Sequence, residues 1–387
     1  MGNTAIPPNP WPPTTQPIGQ DAFVLDADCA GDADPALDLS AAARFGDTLF
    51  LGSDEGREGL FIERLLRIGD RWAGHRRFPL GTILDLESAD EADIEGLAEE
   101  DGWLWVLGSH ARTRPKLTKR GDDRIELATF AKLKGNRARC LLARIPIAPD
   151  PDVPGAFMPV RQDGERQAGM LKPTRHGNAL ARMMAEHVLL RPFTRIAAKE
   201  GGVDLEGIAI AGTRLALGMR GPVVQTYAVL LEIEVAVERS GRIMLAGPLH
   251  KRLLKLDGLG IRDLKRAGDD LLILAGPTTG LDGPCAVYRW RDWVHDPAQD
   301  DQIVRLHRPK RIIDLPFGRG GDHPEGLVPV DGVDGGQALI VICDSPAAAR
   351  LDADARILRC DRFGLDPSTA SGLSDAHIPF FDEVSAI

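Results

Sequence analysis

Three stretches far apart in the chain share one plan, and that repetition limits the possible folds more than any bulk property. They are DIEGLAEEDGWLWVLGSH from Asp93, DLEGIAIAGTRLALGMRG from Asp204, and DHPEGLVPVDG followed by QALIVICDS from Asp322. Each passes from an acidic lead through Glu-Gly-Leu or Glu-Gly-Ile into a short strand, a Gly- or Asp-containing turn, a second apolar strand and a polar residue. Two degenerate copies, LDLSAAARFGDTLFLGSDE from Leu37 and LGIRDLKRAGDDLLILAGP from Leu259, place Ser40 and Arg262 at the Glu position. A unit this small cannot bury its own apolar faces, so successive units must stack on one another.

The aligned positions Ser40, Glu95, Glu206, Arg262 and Glu325 are separated by 55, 111, 56 and 63 residues. A period of ~40–65 residues holding about four strands is the size of a propeller blade. The double interval contains NALARMMAEHVLL at 178–190, where Leu180, Met183, Met184, His187 and Val188 fall at helical spacing. An insertion carrying a helix accounts for the excess, with a sixth, eroded blade as the alternative. The expectation is an all-β fold, a five-bladed β-propeller over residues 21–387, with insertions at about 111–139 and 150–190. Residues 1–20 read as an extended Pro-rich leader. They carry neither the basic region nor the apolar core of a secretory signal.

Runs of β-like residues precede the repeats at Arg77 to Leu84, Phe193 to Ala198, Leu249 to Leu256 and Arg311 to Phe317, and are expected as outer strands. The run before Ser40 is Asp21 to Cys29, near the N-terminus. The first strand is therefore expected to complete the last blade and close the ring, pairing edges that would otherwise stay open.

Bulk properties exclude several classes. Lys and Arg number 47 against 57 Asp and Glu, a net charge of −10, which disfavours a general nucleic-acid or anionic-membrane binder. No apolar run is long enough to span a bilayer. The five cysteines (Cys29, Cys140, Cys285, Cys343, Cys360) are scattered and form no CxxC pair, so neither a disulfide framework nor a zinc site is expected. A reduced, cytoplasmic setting follows.

Calling the strands of a blade A to D, with A lining the channel, the Glu position begins A and the residues ending B return to the same rim. Glu95, Glu206, Glu325, Asp54, Asp344, His110, Arg220, Arg262 and Ser40 are thereby expected to converge on one channel mouth. Crowded carboxylates repel one another, and desolvation raises their proton affinity unless cations neutralise them. Hard oxygen ligands in a ring suit Ca²⁺ or Mg²⁺. Alternatively, Arg220 and Arg262 neutralise the carboxylates or hold an anionic substrate. A third reading is structural, with Glu bonding backbone amides and Gly permitting the tight strand start. The tripeptide alone carries little weight, since Glu58-Gly59-Leu60 matches it out of phase.

The segment Arg112 to Arg139 holds ten Lys and Arg against three acids, +7 within an acidic chain. By strand counting it links B to C of the second blade on the carboxylate face, either as a basic flap over an anionic ligand or as a solvated loop. The same counting puts the helix-bearing insertion between C and D, on the opposite face. Ser109 and His110 are neighbours that point to opposite faces of a strand, which rules out a triad. His323 reads as a turn residue, and Gly318-Arg319-Gly320-Gly321 lacks a phosphate-loop pattern.

The blocks DIEGLAEEDGWLWVLGSHARTRPK, AAKEGGVDLEGIA and GLGIRDLKRAGDDLLILAGPT resemble a bacterial family known only as a domain of unknown function, number 3616. The likeness runs from about Asp21 to Cys360 and implies a propeller-like fold, with no established activity to carry over. More distantly, the Glu-Gly blocks are similar to esterase-like or phytase-like propellers and to calcium-bearing lactonase propellers. That similarity implies metal ligation by Glu95, Glu206 and Glu325, from which Arg262 and Ser40 depart. The functional expectation is a channel-mouth site acting as a metal-assisted hydrolase of an anionic ester or phosphoester. In it, Glu95, Glu206, Glu325, Asp54 and Asp344 hold the cation, His110 or a spare carboxylate serves as base, and Arg220 and Arg262 bind the anion. The rival expectation is a non-catalytic propeller that binds a protein or a small ligand.

Overall fold

The computed structural model describes residues 11–25, 35–53, 60–86, 93–115, 125–135, 137–296, 304–317, 322–332, 336–352 and 354–365. Among these residues the chain builds antiparallel units in series. The first is Leu39–Phe45, Thr48–Ser53, Phe61–Ile68 and Arg71–Pro79. The second is Gly96–Glu100, Trp103–Leu107 and Leu142–Pro149, with Phe157–Pro159 and Gly169–Met170 outermost. The third runs Asp204–Ala211, Arg214–Val224, Tyr227–Val237 and His250–Lys255, and the fourth Gly260–Ala267, Asp270–Gly276, Cys285–Trp290 and Lys310–Leu315. The fifth is His323–Asp331, Gln337–Asp344 and Ile357–Gly364.

The N-terminal strand Gly19–Val24 completes the fifth unit. It pairs antiparallel with Ile357–Gly364 from Gly19 opposite Arg362 to Val24 opposite Ile357. On its other edge, Ala22 and Phe23 meet Arg71 and Trp72 of the first unit. The ring is thus closed by strands from the two ends of the chain, as the sequence predicts.

The first strands of the units touch in cyclic order: first to second, third, fourth, fifth and back to first. They are buried almost throughout, as in LSAAARF and DLEGIAIA, because each is covered on both sides. The apolar clusters follow the same order, one at each interface. Phe50 and Ile62 pack against Leu104 and Ile145, Trp105 against Leu215 and Leu217, and Leu230 against Ile261 and Ile273. Leu272 and Leu274 pack against Leu339 and Val341, and Val328 and Ile340 against Leu49 and Leu51. Burial between units, not within them, holds this all-β, propeller-like ring together.

Several expectations fail locally. The run Arg77 to Leu84 is a strand only to Pro79, then the helical turn Leu80–Leu84. Phe193 to Ala198 is no outer strand: Phe193–Arg195 and Ala198–Glu200 are 3₁₀ turns, the first starting after Pro192 and the second ending at left-handed Gly201. The true outer strand of the second unit is split by the hairpin Gln162–Asp163/Arg166–Gln167, so Ile147 faces Pro159 while Ala143 faces Met170. By Met170 the chain has already returned to the Glu rim. The helix Ala179–Glu186 therefore lies on the His110 side, not on the opposite face. Its Leu180 and Met184 join the cluster between units two and three.

Trp11 and Thr15 of the leader lie on the fourth unit, while Gly19 and Gln20, read as leader, already belong to the strand that completes the fifth. Thr15 N donates to Asp314 O at 2.8 Å, and the Trp11 ring stacks 4.8 Å from the Arg311 guanidinium.

Candidate functional site

The repeated position coincides with a ladder irregularity in four of the five units. Register shifts fall between Leu39 and Ala41, Leu205 and Ile208, Ile261 and Asp263, and Pro324 and Gly326, so Ser40, Glu206, Arg262 and Glu325 are bulged residues. In the second unit Glu95 N donates to Leu107 O, although Leu107 already faces Gly96. A bulge inserts one residue and re-aims it, here toward the axial opening. Gly207, at φ 86, serves the same geometry: a Cβ there would stand 2.6 Å from Leu264 N of the next inner strand.

Arg220 and Arg262 organise the mouth. Arg220 pairs with Asp204 and, at 2.8 Å, with Glu206. Arg262 pairs with Glu325, and its Nε stands 3.8 Å from Glu206 Oε2. Burial works against the Arg220 charge, but Asp204, Glu206, Glu95 and Glu325 outweigh it and push its proton affinity up. The three glutamates thus share the field of one guanidinium. Glu206 is itself buried, and burial raises its carboxyl to about 8 against the pull of Arg220 and Arg262. Its Oε2, with Arg220 Nε and Arg262 Nε, is buried without a hydrogen-bond partner among the described residues.

The acidic leads of the repeats are held by arginines too. Asp93 pairs with Arg139 and accepts from Ser109 Oγ at 3.2 Å, Asp204 pairs with Arg220, and Asp322 pairs with Arg350 at 2.7 Å. Ser40 takes no part in this ion pairing; its single hydroxyl proton is shared between Ile94 O and Gly52 O.

Asp344 is the exception. It ends the second strand of the fifth unit opposite His323, beside the bulge that carries Glu325. Its carboxylate accepts from Ser345 Oγ at 3.2 Å and has no arginine partner among the described residues. Burial, then the neighbouring Glu325 charge, lift it to about 6.

These residues do not fit a calcium or magnesium cage. A hard dication needs several oxygens free to converge, and here guanidinium groups occupy the space between the carboxylates. Among the described residues, the one group of three acids and histidines with ligating atoms close together is Asp269, Asp292 and His295, all exposed. Asp54 lies outside the described residues.

His110 is not at the mouth as a base. Its backbone is left-handed, at φ 54, and its ring is turned toward the helix. Nδ1 donates to Gly108 O at 2.9 Å and Nε2 accepts from Asn178 Nδ2 at 2.9 Å, so both nitrogens of the neutral ring are used. Burial pushes it down to about 4. The spacing Ser109-His110 gave no sign of this, because Asn178 comes from an insertion 68 residues on.

Below the mouth the channel is plugged. The buried Asp263 accepts from Leu264 N, Leu327 N and Lys265 Nζ at 2.7–2.8 Å, and Lys265 Nζ reaches across the ring to Leu97 O at 3.1 Å. On the far side there remains a cavity of about 290 Å³ lined by all five inner strands. The sequence signal was a Lys inside an otherwise buried strand, two residues after an Asp.

At the fold level the chain is similar to an exo-1,5-α-L-arabinanase from a bovine ruminal metagenomic library (9% identity, TM-score 0.40, covering 86% of this chain and 96% of that one). A GH43 endo-arabinanase from Bacillus licheniformis (10%, 0.38, 90% and 98%) and a gluconolactonase from Xanthomonas campestris (12%, 0.33, 92% and 89%) are similar at the same level. Likeness this distant bears on neither site nor substrate. No curated protein matches the sequence. The family model described as protein of unknown function, DUF3616, matches residues 38–360, most of the chain, and the protein belongs to that family.

Proposed function

We propose that the channel mouth is a metal-independent acid–base site that hydrolyses a small ester or lactone. The observation that carries this reading is Asp344: half-buried, beside Glu325, without an arginine partner among the described residues, and lifted by burial to about 6, whereas Glu206 and Glu325 are ion-paired. A base whose proton affinity lies near the working pH is the most effective proton carrier. Asp344 takes a proton from water as the water oxygen bonds to the carbonyl carbon. The carbonyl electron pair moves onto oxygen, facing the Arg262 guanidinium that Glu206 and Glu325 hold in place. Collapse breaks the bond to the alcohol oxygen, and the proton on Asp344 passes to that leaving group. Because both guanidiniums are already held by carboxylates, a neutral ester suits the mouth better than a phosphoester. Among the described residues Cys140, Cys285, Cys343 and Cys360 form no disulfide, which supports a reducing, cytoplasmic setting.

The test is turnover of 4-nitrophenyl acetate and of δ-valerolactone. Asp344→Asn lowers kcat roughly 10²–10⁴-fold, and wild-type kcat/KM rises as pH passes 6. Wild-type turnover in Asp344→Asn, or none above buffer in the wild type, overturns the proposal and leaves the non-catalytic reading.

A further inference from the structure

A second site lies away from the mouth. The two insertions and the third unit enclose a cavity of about 970 Å³, whose rim carries Arg112, Arg137, Lys172, Arg175, Arg182 and Arg242. Among the described residues no Asp or Glu lines it, although the chain as a whole is acidic. Arg112, Lys172, Arg175, Arg182 and Arg242 make no ion pair among the described residues. Cations converging from three separate segments without counter-charge repel one another, and an anion relieves that repulsion. At the mouth each arginine has its carboxylate; here, among the described lining residues, there is none.

The floor is apolar, built from Leu171, Met183, Met184, Ile243 and Leu245, and Met244 at its edge is 38% exposed. Methionines adapt to varied apolar shapes. The walls are fixed in advance. Buried Asn178 caps the helix, accepting from Ala181 N at 2.9 Å, and donates to Cys140 O at 2.8 Å and to His110 Nε2. Leu171 bridges to Ile243 of the third unit, and Gly169 lies against Gly241 so closely that a Cβ would meet its oxygen at 2.0 Å. The volume is at the upper end of small-molecule sites and far exceeds that of a bare phosphate.

We propose that this cavity binds a small organic phosphate whose multiply charged head meets the arginine rim and whose apolar body lies on the methionine floor. The breadth of the rim argues for a phosphate head over a single carboxylate, which two guanidiniums would saturate.

The probe is geranyl diphosphate, titrated by calorimetry against the full chain, with geraniol and inorganic pyrophosphate as separate arms. Geranyl diphosphate is expected to bind one to one and at least ~10-fold more tightly than either fragment, since each half contributes its own contacts. Arg175→Glu combined with Arg182→Glu weakens it at least ~10-fold. Met244→Glu, which puts a carboxylate at the edge of the floor, weakens it about as much, with the melting temperature of both variants near wild type. Equal binding of pyrophosphate and geranyl diphosphate, unchanged affinity in either variant, or no binding by the wild type overturns the proposal. So does tighter binding of a single-stranded oligonucleotide or of anionic vesicles, which would make the rim a general polyanion surface. Ester turnover at the mouth is read separately and is unchanged by either variant.

Discussion

The channel mouth and the insertion cavity are both rich in arginine, and they use it in opposite ways. At the mouth Arg220 and Arg262 are buried and each meets carboxylates from neighbouring strands. In the cavity Lys172, Arg175, Arg182 and Arg242 are exposed and make no ion pair among the described residues. A buried guanidinium must be compensated within the fold, so its charge is spent on joining units. An exposed one keeps its charge available to a ligand. Charge alone does not mark a site; uncompensated charge does.

The largest effect expected on that contrast is Arg220→Met, which leaves the buried carboxyls of Asp204 and Glu206 without their cation and lowers stability by ~3–5 kcal/mol in urea unfolding. A loss comparable to that of a surface variant would show that the mouth is solvated and the contrast false.

Next is His110, which joins the cavity wall to the second unit. Its folded affinity, lowered from 6.5 to about 4, means the unfolded chain takes up a proton below 6.5 that the folded ring refuses. Stability contributed above pH 6.5 is therefore lost as pH falls toward 4, by about 3 kcal/mol for this group. His307, also held near 4, adds to the same limb. His110→Gln removes the His110 share, and an unchanged slope between pH 7 and 4.5 would refute the neutral, doubly bonded ring.

Asp344 sharpens the contrast from the other side. Its affinity is raised from 3.8 to about 6, so ionisation penalises the fold above pH 6 and the penalty disappears below 3.8. Asp344→Asn should stabilise the protein by about 1–2 kcal/mol at pH 8, by nothing at pH 3.5, and lower kcat roughly 10²–10⁴-fold. Destabilisation at pH 8 would place Asp344 with the structural carboxylates. The smallest effect is Arg175→Met, expected to move the melting temperature by no more than about 1–2 °C while weakening geranyl diphosphate.

Much of the ring was legible beforehand. The phase of Ser40, Glu95, Glu206, Arg262 and Glu325 marks five equivalent inner-strand starts because the same strand entry recurs once per unit. The alternation of short apolar runs with Gly and Asp turns is a local property, read without knowing the neighbours. Membership of the mouth was partly legible: Glu206, Arg220, Arg262 and Glu325 meet there, and Glu95 shares their field. Their partners were not. Asp204 and Asp93 stood in view as acidic leads, but nothing in the spacing showed that arginines would hold them. The Asp263–Lys265 plug was hidden because only its bonds to Leu97 and Leu327, across and around the ring, give it meaning.

The amino-acid order by itself determined the repeat, the apolar faces and the strand that closes the circle, since those depend on residues near one another or on a pattern that recurs. Tertiary structure alone decided which rim the helix reaches, that Asn178 takes His110 out of the mouth, and which cations are left without a counter-charge. Each of these depends on segments tens of residues apart arriving at one place, where distance and burial, and not residue type, set the strength of a charge.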